Sequence, residues 1–207
     1  MKQPDKKLVL ESGQEFLGYG FGADKVAVCD IVFNTSMAGY QEILSNPACT
    51  NQIVVMTYPT IGNYGITDED FEARNLSIGG LVVREECKTP SNFRYTKTIS
   101  ELMEEYDIPG ISGVDTRMLT RIIRDSKSCR AAIVSAEMSK EEALALIAAT
   151  PEVHNAVERV SCKKRWYSRT PNHTFDVVLV DCGAKLNLVR MLNKRGCNVV
   201  IVPFNTS

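Results

Sequence analysis

Apolar and polar positions alternate over short runs in the first half of the chain. Residues 7–10, 15–18 and 26–33 are β-type stretches separated by turns that contain Gly and Asp. Residues 39–45 predict a short helix that stops near Asn46, because Pro47 disfavours the α region at the residue before it. Residues 52–57 (QIVVMT) form an unbroken apolar, β-branched run and predict a buried strand. The following residues 57–66 (TYPTIGNYGI) carry too much Gly, Pro and Asn for a helix, yet two tyrosines and two isoleucines make them an ordered loop. Residues 81–84 predict another strand.

Helical spacing becomes clear after that point. Thr98 and Glu101 form a capping box for a helix ending near Tyr106. Asp115 can cap the next helix, in which Met118/Ile122 and Leu119/Ile123 set an apolar stripe at i,i+4. Residues 131–135 predict a strand. Ser139 and Glu142 then supply a second capping box, for a helix running to Ala149 and ended by Pro151.

Residues 161–174 (SCKKRWYSRTPNHT) are polar and basic without an apolar period, and predict an exposed linker between a domain of residues 1–160 and a second unit of residues 175–207. That unit reads as βαβ: an apolar strand at 175–180, a helix at 184–195 closed by Gly196, and a strand at 198–203. Strands apolar at nearly every position suit the middle of a parallel sheet. Two parallel strands cannot cover their own faces, so the expectation is a domain cut short.

The composition is that of a globular protein: 44% hydrophobic and 24% charged over 207 residues, with a net charge of -1. No Lys/Arg block suggests a nucleic-acid footprint. The start MKQPDKKLVLESG has a basic beginning but too short an apolar run for a signal peptide or membrane span. Cys29, Cys49, Cys87, Cys129, Cys162, Cys182 and Cys197 are odd in number and contain no CxxC pair, which points to reduced cytoplasmic thiols rather than a disulfide framework or zinc site. No residue is assigned to a metal or cofactor.

Candidate chemistry is sparse. Cys182, at the strand-to-helix corner Asp181-Cys182-Gly183, could be activated by a helix N-terminus. Val180 stands where a sharp nucleophile elbow needs a small residue, and the chain's two histidines, His154 and His173, lie in or beside the expected linker; Cys182 reads as structural. The single glycine at this corner falls short of a dinucleotide fingerprint, and Asp181 with Lys185 reads as a strand-end pair. Asp68, Glu69, Asp70 and Glu72 lack calcium-loop spacing and read as a solvated segment. Gln41 and Glu42 have no partner for acid–base work. Residues 33–66, with small and polar groups crowded between strands, read as an interface or ligand rim.

Those residues also carry a family pattern. FNTSMAGYQEILSNP and QIVVMTYPTIGNYG, followed by Ser91-Asn-Phe-Arg94, Asp115-Thr-Arg117, Leu119-Thr-Arg121 and VDCGAKLNLVRMLNKRGCNVVIVP, resemble the carbamoyl-phosphate synthase small chain family in order and spacing. The resemblance implies an α/β protein with a swivelling β/β/α N-terminal domain, followed by the truncated start of a class I glutamine amidotransferase domain. In that family a Cys–His–Glu triad hydrolyses L-glutamine, the Cys standing on a Gly-x-Cys-x-Gly elbow that residues 1–207 lack. The triad is therefore expected past Ser207, no catalytic residue is assigned, and residues 1–207 alone should be inactive. One glutamine-binding position falls within the chain: Ala48, where similar proteins place a serine. A contact through the hydroxyl would be lost there and one through the backbone kept, with Cys49 and Thr50 as possible substitutes.

The implied partner is the large subunit, which receives ammonia and uses ATP and Mg²⁺; the product feeds arginine and pyrimidine biosynthesis. The loop at 57–66, with Asn63 and Tyr64, is the candidate contact with that subunit or with the amidotransferase domain. Two other readings stand beside this ligase subunit: a non-catalytic module that docks a protein partner, and a small nucleotide-binding α/β protein.

Overall fold

A computed structural model describes residues 3–126 and 129–207; Met1 and Lys2 of the basic start lie outside the described residues. The strands β1 (Lys6–Leu10), β2 (Glu15–Gly22), β3 (Ala27–Asn34), β4 (Gln52–Met56), β6 (Gly80–Val82), β8 (Pro109–Ser112) and β9 (Arg130–Ser135) close into a barrel of order β1-β2-β8-β6-β4-β3-β9. One arc is antiparallel, with Leu8 opposite both Phe16 and Ile133. The other arc is parallel: β3 beside β4, β4 beside β6, and β6 beside β8. A separate pair, β5 (Thr60–Ile61) and β7 (Glu85–Glu86), ties the loops that follow β4 and β6.

The apolar run at 52–56 has a structural reason. Along β4, Ile53 and Val55 point into the barrel interior with Leu8, Ile31, Val82 and Ile133. Val54 and Met56 point outward, under α1 (Tyr40–Leu44) and α2 (Ile99–Glu105), against Tyr40, Leu44, Leu102 and Met103. Both faces are buried, so no polar alternation is tolerated. The helix α4 (Lys140–Ala149) covers β1 and β9 through Ala143 and Ile147.

The expected caps are present. In α2 the Glu101 amide donates to Thr98 Oγ1 at 3.2 Å, and the Thr98 amide donates to Glu101 Oε2 at 2.7 Å. In α4 the Glu142 amide and Ser139 do the same at 3.2 and 2.8 Å. In α3 (Thr116–Asp125) the Met118 amide donates to Asp115 Oδ1 at 2.9 Å. The α3 stripe splits, however. Leu119 and Ile123 are buried with Thr116, and Met118, a quarter-turn round the helix, is 52% exposed.

The last part of the chain contains the parallel pair β11 (Phe175–Asp181) and β12 (Cys197–Pro203), with α6 (Leu186–Lys194) between them and Val177 opposite Val199. Gly196 closes α6 at φ +76°. Two features depart from the sequence reading. The stretch at 161–174 is not uniformly irregular: β10 (Trp166–Ser168) pairs antiparallel with β12, Trp166 opposite Ile201, and α5 (Ala156–Val160) precedes it. Among the described residues β11 is also an edge strand, with Val178 67% exposed, while β12 is central and buries Val199 and Ile201. No helix among the described residues is long and apolar enough to cross a membrane.

All seven cysteines are free thiols. Burial pushes the Cys29 thiol up to about 11, with Asp30 adding to it, and burial likewise pushes Cys129 up to about 11. Each therefore keeps its proton in the folded state above the pH of 9.0 at which a thiol ordinarily ionises, while the unfolded chain loses it. The stability these thiols contribute is intact below pH 9 and declines as pH rises towards 11. Urea unfolding at neutral pH, pH 9 and pH 10.5 should show a midpoint that drops across this window. The Cys29→Ala, Cys129→Ala double variant should drop less, and an identical slope would contradict the assignment.

Candidate functional site

The position singled out for glutamine, Ala48, sits in a 3₁₀ turn spanning Pro47–Cys49 at the amino-terminal end of β4. Asn46 caps the turn: the Ala48 N–H donates to Asn46 Oδ1 at 3.1 Å. That leaves the Ala48 carbonyl as the group of this exposed residue free to meet a ligand. Against the turn lies the β11–α6 corner. Gly183 adopts φ +101°, and a Cβ there would come within 3.2 Å of Pro47 Cβ and 3.0 Å of Val160 Cγ2, so the chain passes where a side chain would be crowded. The result is a groove of about 290 Å³ lined by Asp30, Ala48, Asn51, Val153, Val157 and Cys182 among others. Two residues read separately in the sequence, Ala48 and Cys182, thus share one groove.

A nucleophile's equipment is not assembled there. His154 and His173 do not line the groove; His173 faces Asp176 at 3.8 Å instead. Asp181, next to Cys182, is 8% exposed and is occupied by backbone: Cys162 N donates to Oδ2 at 2.8 Å, and Gly183 N and Ala184 N donate to Oδ1 at 3.0 and 2.8 Å. Its partners are therefore these amides rather than Lys185. Cys49 is half-buried and held protonated by burial, an effect Lys185 partly offsets. Thr50 does line the groove, and its hydroxyl donates to the Ser77 carbonyl at 3.4 Å. Gln41 is fully buried and brackets Thr67, donating to its carbonyl at 2.5 Å and accepting from its amide at 2.9 Å; this is a structural clamp, not an acid–base pair. No cluster of potential metal ligands occurs among the described residues.

The acidic run has a use that sequence did not reveal. Lys185 gives α6 no side-chain cap. The missing acceptors come from Glu72: Leu186 N donates to its carbonyl at 2.8 Å, and Asn187 N to its carboxylate at 3.2 Å. Arg190 reaches the Glu69 carbonyl at 3.2 Å, and Arg74 lies 4.8 Å over the Trp166 ring. These contacts fasten the C-terminal sheet to the barrel; only the fold brings together residues so far apart in sequence.

The loop at 57–66 is ordered by its tyrosines. Tyr64 stacks on Tyr40 with ring centroids 4.1 Å apart, and its hydroxyl accepts from the Gly39 and Tyr40 amides at 2.8 and 3.1 Å. Tyr40 Oη in turn donates to the Gly65 carbonyl at 2.6 Å. Burial raises the pKa of both phenols, keeping them neutral hydrogen-bonding groups. Of the loop's proposed contact residues, Asn63 is thus exposed, whereas Tyr64 is half-buried and bound to α1. The segment at 88–97 packs alongside: Ser91 N donates to the Asn63 carbonyl at 3.0 Å, and Arg94 pairs with Glu69. At the crest stands Phe93, 96% exposed. A large apolar side chain held this far into solvent is the surface feature that most needs a partner.

Comparison with known proteins agrees with these motifs. The family model for the carbamoyl-phosphate synthase small chain, CPSase domain, matches residues 8–133. The chain is 47% identical over 203 residues to a carbamoyl phosphate synthase small chain of Fusobacterium nucleatum, covering 98% of this chain and 56% of that protein. It is 48% identical over 200 residues to one of Staphylococcus saprophyticus, covering 97% and 54%. It is 43% identical over 202 residues to a carbamoyl phosphate synthase pyrimidine-specific small chain of Halalkalibacterium halodurans, covering 98% and 55%. The chain spans about half the length of the curated relatives it matches.

The Asp181 clip sets the shape of the groove wall beside Cys182. Asp181→Ala removes the acceptor of three backbone amides and should destabilise the C-terminal sheet by about 3 kcal/mol. Asp181→Asn should recover part of that. Urea unfolding followed by fluorescence of Trp166, the chain's single tryptophan, measures it; an unchanged midpoint for Asp181→Ala would contradict the role.

Proposed function

Because this chain belongs to the carbamoyl-phosphate synthase small chain family, we propose that it is part of the glutamine-hydrolysing subunit of that ligase, delivering ammonia in the cytoplasm to a large chain that holds ATP and Mg²⁺. In this reading a thiolate of a Cys–His–Glu triad outside residues 1–207 attacks the glutamine amide carbon. The C–N bond breaks with protonation of the leaving nitrogen, ammonia departs, and water cleaves the thioester to glutamate. Residues 175–207 are the opening of the amidotransferase domain, and the barrel supports it and docks the large chain.

The observation that carries the reading is the family match together with the position of Ala48. The turn that should carry a glutamine contact is the one seated against the β11–α6 corner. With its N–H given to Asn46, Ala48 can meet the substrate through its carbonyl, an acceptor for the glutamine α-ammonium group. On this account the lost serine hydroxyl matters little.

The large-chain contact is assigned to the platform made by residues 57–66 and 88–97, with Asn63 and Phe93 at its surface.

Two measurements test this. Residues 1–207 alone should release no glutamate from glutamine, and activity abolished by Cys182→Ser would overturn the location of the chemistry. Phe93→Asp and Asn63→Asp should weaken binding to a carbamoyl-phosphate synthase large chain about tenfold or more, without altering the thermal midpoint. Undiminished affinity would remove the platform from the interface.

A further inference from the structure

Parallel strands end together, and in this barrel their carboxyl ends meet at a second groove, opposite the one that holds Ala48. Thr35 follows β3, Thr57 and Pro59 follow β4, Arg84 follows β6, and Asp115, Thr116 and Arg117 follow β8. With Thr120 and Arg121 of α3 they line an open groove of about 540 Å³. This is the end of an open or closed parallel sheet at which ligands bind, because loops diverge there and helix N-termini point in.

The groove carries three arginines, Arg84, Arg117 and Arg121. The guanidinium groups of Arg117 and Arg121 have no hydrogen-bond or ion-pair partner among the described residues, and that of Arg84 donates to the Gly113 carbonyl at 3.5 Å. One acid is present, Asp115, and its Oδ1 is spent on the Met118 amide as the α3 cap. Arg117 and Arg121 are spaced i,i+4 on an exposed helix face, where like charges repel. The positive end of the ten-residue α3 adds to the same field. A protein of net charge -1 thus gathers three arginines against one carboxylate, with the hydroxyls of Thr35 and Thr57 beside them, in one concave place.

We infer that this groove binds a small phosphoryl-bearing anion. Planar guanidinium forks match phosphate oxygens two at a time, and the hydroxyls of Thr35 and Thr57 can donate to the remaining ones, the Thr120 hydroxyl being given to the Thr116 carbonyl at 2.7 Å. The groove's volume of about 540 Å³ lies in the range of small-molecule sites. This site is independent of glutamine hydrolysis and of the large-chain platform, and neither reading needs the other to hold.

The test is titration of the protein with inorganic pyrophosphate at constant physiological ionic strength, by calorimetry and by amide chemical shifts, with citrate as the multivalent carboxylate arm. Saturable one-site binding is expected, with shifts confined to the amides of Thr35, Thr57, Arg84 and Thr116. Arg117→Gln and Arg121→Gln should each weaken it about tenfold or more, while Arg165→Gln, on an exposed arginine outside the groove, leaves it unchanged. Both groove substitutions fall on exposed side chains, and the spectra report their folding. Absence of saturable binding to the unaltered protein, or equal binding by all the variants, would overturn the site. Citrate binding in place of pyrophosphate would overturn the phosphoryl assignment.

Discussion

Strand β4 has no polar face, and the architecture follows from that. Ile53 and Val55 need the barrel interior, and Val54 and Met56 need a helical layer outside. Its neighbours β3 and β6 run parallel to it, and α1 and α2 lie over its outer surface. It also fixes what stands at each end of the strand. Before Gln52 the chain makes the turn that carries Ala48; after Met56 it enters the loop whose tyrosines clamp α1 and whose Thr57 lines the arginine groove. The two candidate ligand regions are therefore the two ends of one buried strand, held at a fixed separation by its core contacts.

Local signals were legible wherever a few neighbouring residues decide the structure. The capping boxes Thr98/Glu101 and Ser139/Glu142 formed as read, since both partners lie within one turn. The run QIVVM, read as a buried strand, became β4, because only a strand buried on two faces is apolar at every step. The α/β class implied by the resemblance agrees with the mix of helices and sheets.

What sequence concealed was non-local. Trp166 is the lone indole in a basic stretch, and its pairing opposite Ile201 depends on a strand that arrives 35 residues later. Glu72 sits in a run that looks like solvated surface, yet its acceptors cap α6 at Leu186 and Asn187. Tyr64 looked like a contact residue because aromatic side chains in Gly-rich loops often are; its hydroxyl is instead committed to α1. At the site, Ala48 came from the family resemblance and Cys182 from its corner position, and nothing in the sequence order places them in one groove. Phe93 lies within the motif Ser91-Asn-Phe-Arg94, but its exposure is a property of the folded loop.

The barrel's loops present surfaces, and the sheet of β10, β12 and β11 is fastened to it by Glu72, Arg74 and the seat of Gly183. On the proposed reading, the fastening positions Ala48 against the amidotransferase domain while the platform around Phe93 meets the large chain. The most direct test of that arrangement is hydrogen–deuterium exchange of this chain with and without a carbamoyl-phosphate synthase large chain. The account predicts slowed exchange concentrated in residues 57–66 and 88–97, with the Ala48 groove unaffected. Exchange that slows around Ala48 and Cys182 instead, leaving the platform unchanged, would contradict it.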